Sequence, residues 1–118
     1  MKTLLLLFIT FSIVISCNKD NQQTQGGGYD PFAEASLVKE MKKSLTNCQC
    51  EISIIKGTYN SQLVYFIALT DPVCDGINAP TLYDINGKVV RSFTMNDYHD
   101  FYNNVTLDKV LYRCKTTN

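Results

Sequence analysis

Apolar and polar positions alternate in distinct regimes along the chain. An apolar run, interrupted only by Thr10 and Ser12, extends from Leu4 to Ile15, preceded by one charge, Lys2. Eleven polar or glycine residues follow, Asn18 to Gly28, with no apolar side chain to bury. Such a composition predicts a flexible tether. At Asp30-Pro31 the pattern changes to helical spacing. Aspartate suits the cap and proline the first turn. Leu37, Val38, Met41 and Leu45 then recur three and four apart, with Lys39, Lys42 and Lys43 between them. This spacing predicts a helix with one apolar stripe, stopping near Asn47 and packing on a sheet.

Period-two and short apolar runs take over after the helix. Cys50–Lys56 and the nearly all-apolar Leu63–Leu69 read as strands joined by a turn at 58–61, the second of them central and covered on both faces. Asp71 to Pro80 reads as a loop. Thr81–Asp84 and Lys88–Phe93 flank Asn86-Gly87, a pair that tolerates positive φ and marks a hairpin. A short helix is expected from Thr94 to about Tyr102. The last strand is expected at Lys109–Lys115, with Val110, Tyr112 and Cys114 on one face. The fold class is therefore α+β: an N-terminal helix packed on a four- to five-stranded antiparallel sheet, stapled by disulfides, with the single domain spanning 29–118.

Val14-Ile15-Ser16-Cys17 closes the apolar leader. A charged start, a short apolar middle and a small residue before the cut make a secretory signal. Its apolar run of about 12 residues falls short of the about 20 needed to span a bilayer. A cysteine directly after the small residue makes a lipobox, so the leader resembles that of bacterial lipoproteins. The resemblance implies removal of residues 1–16 and acylation of Cys17, with 17–28 as the lipidated tether. Several acyl chains on one cysteine suffice for stable membrane anchoring. Asn18 after the lipid cysteine implies, by the sorting habit of that family, the outer membrane of a bacterial cell envelope.

Removing the leader leaves 102 of the 118 residues, with 10 Lys+Arg against 11 Asp+Glu. No basic stripe is present, so nucleic acid is not an expected partner. Five cysteines occur; with Cys17 taking the lipid, as the lipobox resemblance implies, Cys48, Cys50, Cys74 and Cys114 remain. An even set in an exported chain predicts disulfides. Cys48 and Cys50 sit too close along one strand to pair well with each other. Each then reaches out, one to Cys74 and one to Cys114, in an order the spacing leaves open.

Other chemistries are weighed against this scaffold. Four thiolates bind zinc in many proteins, but Cys48-x-Cys50 is tighter than knuckle spacing. Asp84-Ile85-Asn86-Gly87 has its glycine too early for an EF-hand loop, and Asp71 and Asp75 read as turn formers. No Gly-x-Ser-x-Gly or phosphate-binding loop occurs. The enzyme alternative rests on His99, the single histidine, with Asp97 or Asp100 beside it. Tyr98, Phe101 and Tyr102 form a contact patch if exposed and complete the core if buried. The sequon Asn104-Val105-Thr106 reads as chance in a bacterial lipoprotein of the kind the leader resembles.

Two further resemblances concern the domain. Tyr59-Asn60-Ser61-Gln62, Val64-Tyr65, Cys74-Asp75 and Leu82-Tyr83-Asp84 with Asn86-Gly87-Lys88 are similar to a domain-of-unknown-function family of small Gram-negative lipoproteins. The helix followed by strands ending in Leu-Tyr-Asp-x-Asn-Gly-Lys-Val resembles PepSY-type domains. That likeness implies an exported inhibitory or regulatory module. The expected function is thus non-catalytic: a binding, inhibitory or envelope-structural domain with no cofactor beyond the covalent lipid, meeting an envelope protein or glycan. A cysteine-based metal-binding protein is the remaining alternative.

Overall fold

The computed structural model describes residues 29–116. The leader, Cys17 and the tether lie outside the described residues. Helix α1 spans Pro31–Lys42, followed by strands β1 (Ile52–Tyr59), β2 (Gln62–Leu69), β3 (Thr81–Tyr83) and β4 (Val89–Ser92). Helix α2 (Tyr98–Asn104) runs directly into β5 (Val105–Cys114). The five strands form one sheet in the order β4-β3-β2-β1-β5, with every neighbouring pair antiparallel. The α+β class and the four-strand meander follow the sequence pattern, with β2 in the middle. Among the described residues, no helix is long and apolar enough to cross a membrane.

Local chemistry accounts for the helix ends. Asp30 Oδ1 accepts the Phe32 and Ala33 amides at 2.9 and 3.3 Å, and Pro31 occupies the first turn. The helix ends at Lys42, before the expected Asn47. Lys43, Ser44 and Leu45 donate their amides to carbonyls three residues back, and the Ser44 hydroxyl donates to the Met41 carbonyl at 2.8 Å. These short-range bonds tighten the last turn into a 3₁₀ form and end the helix. Asn47 then adopts φ 54°, turning the chain towards the sheet.

The β1–β2 loop has two residues, Asn60 and Ser61, at φ 49° and 62°. A loop of this kind matches the twist of its strands, so β1 continues through Tyr59 and the turn is tighter than the expected 58–61. The β3–β4 loop is longer than an Asn-Gly pair alone requires. Asp84 Oδ1 accepts the Asn86 and Lys88 amides, both at 2.9 Å, and Gly87 takes φ 78°. The carboxylate is thus spent on the turn, as expected of this segment.

The largest departure is β5, which starts at Val105 rather than Lys109. Two register shifts against β1 insert extra residues between Leu107 and Lys109 and between Val110 and Tyr112. Val110 therefore pairs with Ile55, and Tyr112 with Ile54. Those partners point to opposite faces, so Val110 and Tyr112 do not share one. Bulges break the period-two pattern that the sequence reading relied on. They also twist a ten-residue edge strand away from pairing with other chains.

The sheet is covered on both faces. On one, Leu37, Val38 and Met41 of α1, with Leu45 just beyond it, pack on Ile54 and Tyr65. On the other, Phe93 and Phe101 pack on Phe66, Leu82 and Val105. Phe101 meets Phe66 and Phe93 edge to face, with centroids 5.4 and 5.6 Å apart. At Gly57 the β5 backbone comes close to β1. A Cβ there would lie 2.1 Å from the Thr106 carbonyl oxygen and 3.2 Å from Phe66.

Candidate functional site

The cysteines converge at one end of the sheet. Cys48 bonds to Cys114 and Cys50 to Cys74, with Cα separations of 5.7 and 6.1 Å. The first bridge ties the segment after α1 to the end of β5. The second ties the start of β1 to the 71–80 loop. The pairing left open by the spacing is thereby settled. Asp71 organises the same end. Its Oδ2 accepts the Glu51 amide at 2.9 Å and its Oδ1 the Val73 amide at 3.0 Å. Lys115 Nζ lies 3.3 Å from Oδ2. The two backbone amides chiefly hold the Asp71 carboxyl below the usual carboxylate range against the opposing effect of burial, with help from Lys115. Asn78 fixes the far part of the loop through paired bonds to Leu69, 2.8 Å from its amide and 3.1 Å to its carbonyl.

A polar cluster lies under the start of α1. Glu34 Oε2 accepts from Lys56 Nζ at 2.8 Å and from the Tyr65 hydroxyl at 2.9 Å. The Glu34 and Lys56 side chains are 12% and 17% exposed. Tyr29 closes the cluster, donating to Glu34 Oε1 at 3.3 Å while Lys56 Nζ sits 4.4 Å from its ring centre. Burial raises the pKa of Glu34, but the Lys56 and Tyr65 hydrogen bonds and the Lys56 charge outweigh it, leaving a net lowering. Tyr65 is pushed up, first by burial and then by the adjacent Glu34 carboxylate. Every polar group here has a partner, so the cluster works as a clasp holding α1 on the sheet. The sequence reading passed over it. The signal was present: a turn centred between Asn60 and Ser61 sets Lys56 opposite Tyr65.

Beside the clasp, α1 leaves part of its sheet face open. A cleft of about 600 Å³ lies between α1 and the β3–β4 hairpin. Leu37, Met41, Ile67, Tyr83 and Ile85 make its apolar walls, and Ser36, Glu40, Ser44 and Asn86 stand among its polar lining. Its size and mixed lining suit a small ligand or a short segment of a partner.

The His99 neighbourhood lies on α2. His99 is exposed and stacks on Tyr98, with ring centres 4.0 Å apart. Its neighbouring carboxylates are engaged elsewhere. Asp100 pairs with Arg91 at 2.8 Å, and Asp97 accepts from the Thr94 amide and hydroxyl and lies 3.4 Å from Arg91. The Thr94 bonds chiefly hold the Asp97 carboxyl below its usual range. The three aromatics of α2 also part ways. Phe101 is 2% exposed and belongs to the core, which removes it from any contact patch. Tyr102 is 52% exposed and accepts the Asn78 amide at 3.2 Å, while Tyr98 is half-buried.

Among the described residues, one group of three metal-type donors comes together: Cys50, Asp71 and Cys74, all within 4.8 Å of one another. As a disulfide its sulfurs are not thiolate ligands. No protein-family model, curated protein or solved structure matches this chain.

Proposed function

We propose that this chain is a bacterial envelope lipoprotein, anchored through Cys17, whose domain is a non-catalytic binding or inhibitory module. The cysteine count carries the reading. Four of the five cysteines are consumed by two bridges within the domain. The fifth, Cys17, is the residue that the leader pattern singles out for acylation. Bridges of this kind suit an oxidising compartment outside the cytoplasm.

Binding is favoured over catalysis by how the polar groups are used. The carboxylates around His99 hold Arg91 and Thr94, and Glu34 clasps α1. What remains open is the α1–hairpin cleft, with apolar walls and the hydroxyl, amide and carboxylate groups of Ser36, Ser44, Asn86 and Glu40 for orientation. An envelope protein segment or a glycan fits that lining better than nucleic acid, which needs a basic surface.

Detergent phase partitioning tests the anchor. The wild-type chain enters the detergent-rich phase, and Cys17→Ser stays in the aqueous phase with its fold unchanged. A photo-crosslinker at Ser36 in the cleft then captures an envelope component that the same group at Asp108 on β5 does not. Equal partitioning of both chains refutes the anchor, and equal capture at both positions refutes the cleft.

A further inference from the structure

We propose that the Cys50–Cys74 bridge is a redox-gated zinc site, closed as a disulfide and opened on reduction, with Asp71 as the third ligand. The proposal goes beyond the anchored-module reading and stands on the geometry of the 71–80 loop.

Three features point to it. The two sulfurs and an Asp71 oxygen already lie within 4.8 Å of one another. A tetrahedral zinc with bonds of about 2.3 Å to sulfur and about 2.0–2.2 Å to oxygen sets its donors about 3.5–3.8 Å apart, a shift of about 1 Å for the carboxylate once the S–S bond opens. Second, the thiols stay together once the bridge opens. Asp71 binds the amide of Glu51, next to Cys50, and that of Val73, next to Cys74. Asn78 pins the rest of the loop to Leu69. The cysteines are thus held by hydrogen bonds independent of the S–S bond. Third, the two bridges differ in access. Cys50 and Cys74 are both half-buried, whereas in the other bridge only Cys114 is half-buried and Cys48 is 5% exposed, so a reductant has two sulfurs to attack in the 50–74 bridge and one in the 48–114 bridge.

Asp71 has room for the ion. A carboxylate offers about four acceptor positions, and two amides and Lys115 use three. Lys115 is 50% exposed and free to swing into solvent. The chemistry balances with a dithiol reductant: the protein disulfide becomes two thiols and the reductant becomes a disulfide. Zinc then displaces one proton from each thiol to solvent and is bound by two thiolates and one carboxylate. Water fills the fourth position, as in open zinc sites.

The test uses the full chain, extracted from membranes and treated with a phosphine, which takes oxygen from water as the disulfide becomes two thiols. Zinc is added, and the chain is read by native mass spectrometry and by mapping thiols that resist alkylation. The expected result is one zinc per reduced chain, none on the oxidised chain, and protection of Cys50 and Cys74. Cys74→Ser loses the ion, Asp71→Asn binds it more weakly, and Cys114→Ser keeps it. Cobalt in place of zinc gives a thiolate charge-transfer band that Cys74→Ser lacks. The proposal is overturned if the reduced 50–74 pair retains no zinc, if zinc protects Cys48 and Cys114 instead, or if opening this bridge alone unfolds the domain.

Discussion

Deleting the two disulfides one at a time should destabilise the domain unequally. Cys48–Cys114 joins residues 66 apart in sequence, and Cys50–Cys74 joins residues 24 apart. In the loop-entropy treatment the first contributes about 4.4 kcal/mol and the second about 3.4 kcal/mol. Their difference, about 0.9 kcal/mol, depends only on the logarithm of the loop ratio. Native packing adds in the same direction, because Cys48 is buried and its truncation to alanine leaves a void. The assay is urea unfolding of Cys48→Ala/Cys114→Ala and Cys50→Ala/Cys74→Ala against the intact chain. With a slope of about 1 kcal/mol/M, the first variant melts about 0.9 M below the second. Against a total stability of about 5–15 kcal/mol for a small domain, either loss is large. The reasoning fails if the 50–74 deletion is the more damaging, or if neither midpoint moves.

Other perturbations test the packing and the clasp. Gly57→Ala forces a Cβ onto the Thr106 carbonyl and should cost at least about 1–3 kcal/mol in thermal or urea melts. Glu34→Gln strips the charge from the clasp and should cost about 2 kcal/mol, less than the 3–5 kcal/mol of a fully buried pair, because both partners keep some solvent. The folded pKa of Glu34 is depressed below its ordinary 4.5. Its contribution is therefore complete above that value and fades as pH falls through the folded value. Wild type and Glu34→Gln should differ near pH 7, and the gap should narrow as pH falls below 4.5 through the depressed folded value, as read by urea midpoints. Phe101→Ala should cost about 3–5 kcal/mol as a core deletion, whereas exposed His99→Ala should stay within about 0.5 kcal/mol. Paired calorimetry of the two variants checks both.

Legibility in the sequence followed the locality of each interaction. Asp30-Pro31, the Leu37–Leu45 stripe and Asn86-Gly87 act over a few residues, and their elements form where the pattern puts them. Helix α1 ended early because Ser44, a poor interior residue, turned its hydroxyl back on the Met41 carbonyl. Strand β5 was half hidden, because its two bulges reset the alternation at Asp108 and Leu111. The cysteine pairing needed tertiary structure. Cys48 and Cys50 were both free to reach either partner until β5 came to lie beside β1 and the 71–80 loop beside β2. The clasp was legible in principle, since hairpin symmetry pairs Lys56 with Tyr65, but Glu34 meets them only through the docking angle of α1. The cleft depends on which part of the sheet α1 leaves uncovered, and periodicity carries no information about that.

The intact mass of the membrane-extracted chain, taken without reductant and with and without an alkylating agent, tests the central claim most directly. The account predicts the mass of residues 17–118 plus acyl chains, less four hydrogens for two bridges, and unchanged by alkylation. A mass that retains residues 1–16, lacks lipid on Cys17, or rises by alkylation of the domain cysteines contradicts it.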